Sequence, residues 1–458
     1  MLPGNLPGPK CGLLWYITRQ AAMSSSAPTP TSTAGDGIPL PSRRYANYVL
    51  GIFFGLTALN VMDRQVLSLL IEPIKREFQV SDTAMGLLSG TSFTILHVLA
   101  ALPVSRWADR HNRRNLIAVG LLAWSALTAA TGLARSYLQI FVARVGVGIG
   151  ETVGSGPTQS LISDYFPPAR RASALSVLGS GGVVGSMLAF ALGSLVAEAY
   201  GWRLTFLAFG LPGVALALLL WCTVREPVRG AVEGLADSQQ NDSLGDCLRF
   251  LLGLPAFRHV ALAGGLNAFA NYTLLTWAQP FLMRSHDLSI AQAGLTLALA
   301  MSVSSMLGLW LSGFAGDRLG QRDPRWHCLL PAVASTLSVP LVLAFLFAPT
   351  LEAAIAFLVP AAFVNTMWLG NFNAVIQGLA KPRMRAVASA LNVAVNSGVG
   401  LGLGPVAVGL LSDYLEPRLG TDSLRYAMAF AILGALWASL HALLAARTLR
   451  EDLGAKER

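Results

Sequence analysis

Twelve apolar stretches, each about as long as a membrane is thick, decide what this chain can fold into. A helix rises about 1.5 Å per residue and a bilayer's hydrocarbon core is about 30 Å across, so a helical crossing needs roughly 20 apolar residues in a row. Such stretches occupy 45–71, 83–106, 115–133, 137–163, 172–198, 203–223, 258–282, 290–315, 327–348, 352–378, 386–412 and 424–446. Backbone in hydrocarbon has no water to bond, so each stretch must satisfy its own N–H and C=O groups as a helix. The expected fold is all-α and integral to a membrane, with twelve transmembrane helices. Composition supports this: 53% of the 458 residues are hydrophobic and 12% charged, which excludes a water-soluble domain of this length.

The formal charge of +9 would suggest acidic partners in a soluble protein, but in a membrane chain its distribution matters more. With the N-terminus taken as cytoplasmic, that side carries 22 Lys and Arg near the bilayer, plus Lys10 and Arg19 far out in the tail. The opposite side carries seven: Lys75, Arg76, Arg135, Arg203, Arg284, Arg418 and Arg425. Arg64 and Arg144 fall inside helices. A bias of 22 to seven predicts both termini in the cytoplasm, and an even number of crossings agrees. Nucleic acid is not an expected partner; the bilayer is.

Cys11, Cys222, Cys247 and Cys328 are scattered with no CxxC and no paired histidines, so neither a disulfide framework nor a metal site is expected. "KCGLLWYI" near the N-terminus has too short an apolar core for a signal peptide and reads as tail. Residues 24–42, rich in Ser, Thr and Pro, are expected to be disordered, and Met23 is an alternative start.

The chain repeats itself. "PVSRWADRHNRRN" (103–115) follows the second stretch and "LSGFAGDRLGQRDPR" (311–325) the eighth, with Asp109-Arg110 and Asp317-Arg318 exactly one repeat of 208 residues apart, as are Ser81 and Ser289, and Gly86 and Gly294. "RRASALSVLGSGGVVG" (170–185) matches "MRAVASALNVAVNSGVGLG" (384–402) at an offset of 216. These matches imply a parallel duplication of a six-helix unit. The expected organisation is a tail at 1–44, bundles at 45–224 and 258–447, a cytoplasmic connector at 225–257 and a second tail at 448–458.

Two parallel six-helix halves with an Asp-Arg loop after the second and eighth helices resemble the major facilitator superfamily. Gly313, Asp317, Arg318, Gly320 and Arg322 keep most of that superfamily's loop pattern, whereas Ser105 and Asn112 stand where glycines are usual. "RWADRHNRR", "LNVMDR" (59–64), "RVGVGIGE" (144–151), "REPVRG" (225–230) and "TWAQPF" (276–281) together resemble its Spinster branch. The resemblance spans Tyr45 to Arg447. It implies alternating access and an amphiphilic substrate such as a sphingoid or lysophospholipid. Organic-anion symporters of the same superfamily share variants of the first- and fourth-helix patterns, so an organic-anion:proton symporter or a hydrophobic-drug exporter remains the alternative.

The loop motif has its own physics. An Asp at a helix end can accept hydrogen bonds from the N-terminus of a facing helix and pair with nearby arginines, closing the cytoplasmic side in one state. Asp109, Arg110, Arg113, Arg114, Asp317 and Arg318 are the expected gating residues; the alternative is an ordinary positively charged loop. The glycine runs "GSGGVVG" (179–185) and "GVGLGLG" (398–404) follow no strand and precede no Lys-Ser/Thr, so they serve helix packing and bending rather than phosphate binding.

Charge inside hydrocarbon costs about 2.5–3.5 kcal/mol on insertion scales, so such residues face the bundle interior and find partners. Arg144 and Glu151, seven residues apart, share one helix face about 10 Å apart along the axis. Asp63 reaches about the depth of Arg144, so the expected arrangement is an Asp63–Arg144 pair with an unpaired Glu151 nearer the midplane. These three are the proton-coupling candidates, against the plainer reading of a structural ion pair. His97 is a weaker candidate, since a lone histidine more often finds a local hydrogen bond. The second half offers no mid-depth carboxylate, only amides and aromatics. The expected substrate wall is Arg144, Asn271, Tyr272, Trp277, Asn365, Asn371 and His97.

These residues predict a proton-coupled secondary transporter, driven by the proton gradient with no cofactor, acting on a small amphiphilic or anionic substrate as a monomer. No nucleophile–base set, metal cluster or nucleotide motif suggests an enzyme. Arginine outnumbers lysine 29 to four, a bias that points to a bacterial inner membrane.

Overall fold

Ser42 opens the first crossing: its hydroxyl accepts the Tyr45 N–H, and Arg43–Leu69 follows as an unbroken helix of 27 residues. The computed structural model describes residues 33–34, 38–39, 42–154, 156–227, 244–381 and 384–455. Crossings two to six run over 82–110, 113–131, 137–165, 168–200 and 202–223. Crossings seven to twelve run over 255–285, 290–320, 326–346, 351–379, 385–419 and 423–455. Among the described residues, seven helices are individually long and apolar enough to span a membrane, or eight when the bent pair ending at Ser285 is included. Two of them, Ser173–Thr223 and Val387–Gly454, contain 51 and 68 residues, enough for two crossings each. Gly201 makes the turn inside the first of these at φ +79° and ψ 168°, a region essentially confined to glycine that costs a side-chain-bearing residue about 1–3 kcal/mol. In the tail, Thr33–Ala34 pairs with Ile38–Pro39 in a two-residue antiparallel ladder; otherwise the expected disorder of 24–42 lies outside the described residues, as do Cys11 and the middle of the connector.

Two boundaries differ from expectation. The seventh crossing begins at Pro255 rather than 258, and the connector's last part forms an amphipathic helix, Leu244–Gly253, set at 90° to it. Its Cys247 and Leu251 are buried against the second half, as suits a helix lying at a membrane surface. The fourth crossing is not continuous: the α-helix ends at Gly150, a 3-10 turn covers Glu151–Gly154, and Gly156–Tyr165 resumes. Gly146, Gly148, Gly150 and Gly154 weaken this helix by roughly 0.5–1 kcal/mol each relative to alanine. The break therefore falls where propensity is poorest, directly at Glu151.

The second, fifth, eighth and eleventh crossings each contain a π-helical turn: Leu87–Thr91, Ala189–Gly193, Ala298–Val303 and Asn396–Leu403. These four also form the seams between the halves, second against eleventh and fifth against eighth. At the first seam the helices nearly touch, since a Cβ on Gly86 would lie 2.5 Å from the Pro405 carbonyl oxygen.

Packing is asymmetric along the membrane normal. At the face away from the connector, here the distal face, one apolar core runs through both halves, joining Leu70, Ile74, Phe190 and Phe206 to Phe281, Phe345 and Leu424. Toward the connector face the cores separate, one around Phe53, Trp124 and Leu161 and the other around Phe257, Phe372 and Leu449. The halves are joined at the distal face and part toward the connector.

Trp277 belongs to the joined core. It is fully buried and its indole N–H donates to the Pro405 carbonyl at 3.1 Å. Trp277→Ala is expected to cost about 3–5 kcal/mol of stability, read as a lower melting temperature in detergent, without altering ligand selectivity. A selectivity change at unchanged melting temperature would return Trp277 to the cavity wall.

Candidate functional site: two buried ion pairs and a carboxylate-capped seam

The first and fourth crossings meet through two ion pairs. Arg144 Nη1 donates to Asp63 Oδ2 at 2.7 Å, its Nη2 reaches the Asp63 carbonyl at 3.4 Å, and Thr128 Oγ1 of the third crossing donates to Asp63 Oδ1 at 2.5 Å. Both charged side chains are almost wholly buried. The pair expected from the sequence is therefore formed, with Thr128 as an unexpected third member. Removing one partner of such a pair strands the other charge, at a cost of roughly 3–5 kcal/mol.

Glu151 is not unpaired as expected. Arg64 Nε donates to Glu151 Oε2 at 2.8 Å. The two partners differ in exposure: the Glu151 side chain is 0% exposed, that of Arg64 26%. The Arg64 guanidinium lies 4.8 Å above the Phe93 ring, and that ring stacks on His97 at 5.0 Å. His97 Nδ1 sits 3.1 Å from the Gly148 carbonyl, the local hydrogen bond anticipated for it. Three buried polar atoms in this neighbourhood have no partner: Arg144 Nε, Glu151 Oε1 and Asn60 Nδ2.

From the second half, Tyr272 packs against both separated cores and interacts electrostatically with Arg64. Its neighbour Asn271 accepts a hydrogen bond from Asn365 Nδ2 at 3.2 Å, joining the seventh and tenth crossings. Asn371 lies apart, buried with His327 Nδ1 at 3.0 Å and the Ser312 and Met367 carbonyls. Of the expected substrate wall, the structure gathers Tyr272, Asn271 and Asn365 on one side and His97 on the other. Trp277 and Asn371 are packed elsewhere, and Arg144 is enclosed at 1% exposure, so the partly exposed arginine of the two pairs is Arg64.

Asp317, Arg318 and Arg110 are exposed, and the Asp109 side chain lies outside the described residues. Arg113 and Arg114 have a different role from the one expected. Arg113 is buried within the first half, bonded to Asp164 at 2.6 Å and Glu226 at 2.8 Å. Glu226 also accepts the Arg114 backbone N–H at 2.8 Å, placing a negative charge at the start of the third crossing. This explains Glu in "REPVRG".

The distal face carries latches that sequence reasoning missed. Asp413 of the eleventh crossing accepts from the Asp82 and Thr83 N–H groups at 2.9 and 2.8 Å, capping the second crossing from the opposite half. Glu198, in the first half, accepts from Ser289 Oγ at 2.6 Å and the Ala291 N–H at 2.7 Å, capping the eighth. The two caps are related by the internal repeat, with Asp413 lying 215 residues after Glu198 against an offset of 216 for these helices. Asp82 further binds Lys75 at 2.6 Å, and Arg284 bridges Asp82 at 2.7 Å and Glu72 at 2.6 Å across the halves. These residues sit at helix ends near the distal surface, where a charged side chain is unremarkable, so only the repeat offset could have drawn attention to them.

A twelve-helix, two-half membrane protein with buried charge in one half and a cleft open to one face is a transporter by architecture. The Major Facilitator Superfamily profile matches residues 53–405, and the chain belongs to that superfamily, in its Spinster branch. It is 32% identical over 398 residues to an MFS-type efflux pump of Mycolicibacterium smegmatis, covering 86% of this chain and 90% of the pump. It is 27% identical to protein spinster homolog 1 of Homo sapiens, over 80% of this chain and 73% of that protein. Among solved structures, a bacterial homolog of the human lysosomal transporter Spinster, in an inward-facing and unoccupied conformation, superposes with a TM-score of 0.82 at 29% identity, over 90% of this chain and 99% of that one.

Loss of one distal cap is expected to move the conformational balance by about 1 kcal/mol, roughly fivefold. Spin labels at Arg76 and Glu416 should report a correspondingly larger long-distance population in Asp413→Ala. An unchanged distance distribution would reduce this carboxylate to a surface ornament of one state.

Proposed function

We propose that the chain is a proton-coupled secondary transporter that moves an amphiphilic anion, of the lysophospholipid or sphingoid-phosphate kind, by alternating access. The observation that carries this reading is the exchangeable ion pair: Arg64 is partly open to the cleft, while its partner Glu151 is completely enclosed. A substrate anion that takes the Arg64 guanidinium leaves Glu151 buried without its counter-charge. An isolated carboxylate in such surroundings is far costlier than a neutral one, so it takes up a proton. Substrate and proton therefore load together, and the distal caps exchange for the connector-face latches in the opposite state. Asp63, held by Arg144 and Thr128, keeps the two helices in register while this happens.

The amide and aromatic groups of Asn271, Tyr272 and Asn365 suit the uncharged part of a polar head, and the apolar cleft between the halves suits an acyl chain. The connector face is read as cytoplasmic from the positive-inside bias, in a bacterial inner membrane, with the proton gradient as the only energy source and the monomer as the working unit. The second reading, export of hydrophobic drugs, is favoured by the similarity to the mycobacterial efflux pump.

Proteoliposomes with an imposed pH gradient, offered lysophosphatidate, sphingosine phosphate and a cationic dye in parallel, test this. The expected result is gradient-driven movement of the lipid anions only. Glu151→Gln, which mimics the protonated state, should bind but lose its response to the gradient. Arg64→Ala should lose transport, and Arg64→Lys should restore little, because a planar two-pronged donor is replaced by a point charge. Wild-type gradient-driven transport by Glu151→Gln would remove Glu151 from the mechanism.

A further inference from the structure

Below Glu151, toward the connector face, a cavity of about 200 Å3 lies wholly within the first half. Thr57 of the first crossing, Gly154 and Gln159 of the fourth, and Leu175, Leu178 and Gly179 of the fifth line it. A water molecule takes up about 30 Å3 of liquid, so several fit. Two glycines hold the space open. A Cβ at Gly179 would meet nothing within 4 Å, and one at Gly154 would make ordinary contact with Asn60 Nδ2 at 3.4 Å and Leu56 at 3.7 Å. Asn60 therefore stands at the cavity's inner wall, and exposed Gln159 stands at its mouth.

Asn60 Nδ2 is one of the buried atoms without a partner, and Glu151 Oε1 is another. The first is a donor and the second an acceptor. Asn60 adjoins the cavity, its Nδ2 lying 3.4 Å from where a Cβ on Gly154 would stand, and it is one turn before Arg64, which holds the other oxygen of Glu151; Glu151 itself is three residues before Gly154 on the same crossing. A water that accepts from Asn60 and donates to Glu151 satisfies both, removing two desolvation penalties at once. The groups facing Glu151 are Arg64 and Asp63 on the first crossing and Arg144 on its own, with His97 on the second and Tyr272 on the seventh adjoining Arg64. None of them lines the cavity, and none of the cavity's own residues titrates.

We propose that this cavity is a water-filled proton entry to Glu151, with Asn60 positioning the last water, separate from the cleft between the halves that the transported molecule uses. A proton arriving along the waters passes to Glu151 Oε1 and leaves a neutral acid behind; no other group changes charge. Separate routes let Glu151 load while the cleft is occupied, which a shared route would obstruct. The inference rests on reading Glu151 as the proton acceptor.

The test is a pH jump on the purified protein in lipid nanodiscs, following the carboxylic-acid C=O infrared band that is absent from Glu151→Gln. Gly179→Leu puts a side chain into the cavity from a position where an added Cβ meets nothing within 4 Å, and Asn60→Leu removes the donor; neither residue belongs to an ion pair. Both should reach the wild-type band amplitude about tenfold more slowly, while Gly179→Ala, which leaves most of the space, stays within about twofold of the wild-type rate. A wild-type rate in either leucine variant overturns the entry route. If the wild type and Glu151→Gln show the same band, the proton role of Glu151 is what fails, and the route falls with it.

Discussion

Four charges buried between two helices constrain everything else in this protein. Successive residues of a helix point about 100° apart, so Asp63 and Arg64 carry their charges to different ion-pair partners, Arg144 and Glu151. Those partners, seven residues apart, share a face of the fourth crossing. Crossing one pattern with the other gives two separate pairs at two depths, each bringing opposite charges within 2.7–2.8 Å in surroundings where an unmatched charge would not be tolerated. The enclosed pair, with Thr128 as its third member, fixes how the first, third and fourth helices stack. The other pair has one arm reaching toward the cleft and can exchange its partner.

That difference in exposure links electrostatics to movement. Arg64 rests on Phe93, which stacks on His97, and faces Tyr272 from the other half, so a change of partner at Arg64 is felt on both sides of the cleft. The halves themselves are joined at the distal face by a shared apolar core and by carboxylates that cap helix ends across the seam. None of those contacts survives a rocking motion that opens this face. The caps are also cheap, because each is a hydrogen bond from an amide or a hydroxyl that water can replace. A gate made of such bonds can hold a state without trapping it.

The architecture was legible in the sequence because its causes are long-ranged and repetitive: twelve apolar runs, a charge bias and a duplication leave marks over tens of residues. The Asp63–Arg144 pair was legible for a related reason, since few partners exist for a charge at a given depth. Glu151's partner was missed although Arg64 stands next to Asp63 in the quoted "LNVMDR", because depth alone does not say which way a side chain points around the helix axis. Trp277 was taken for a wall residue because an aromatic next to amides reads the same whether it faces a cleft or a core; only its bond to the Pro405 carbonyl separates the two. Arg113 and Arg114 were assigned to a latch because a loop motif does not reveal which of its charges turns inward; the structure turns Arg113 toward Asp164 and Glu226, whereas the Arg114 side chain reaches the Trp221 carbonyl.

The central claim is that substrate and proton meet through one arginine. It is tested most directly by adding a soluble short-chain lysophosphatidate to the detergent-purified protein in a weakly buffered solution and recording proton exchange alongside ligand binding by calorimetry. The account predicts uptake of about one proton per bound anion in the wild type and none in Glu151→Gln, since binding that changes a group's charge must change the protons held. Binding with no proton uptake by the wild type, at any pH where Glu151 is ionised beforehand, would contradict it.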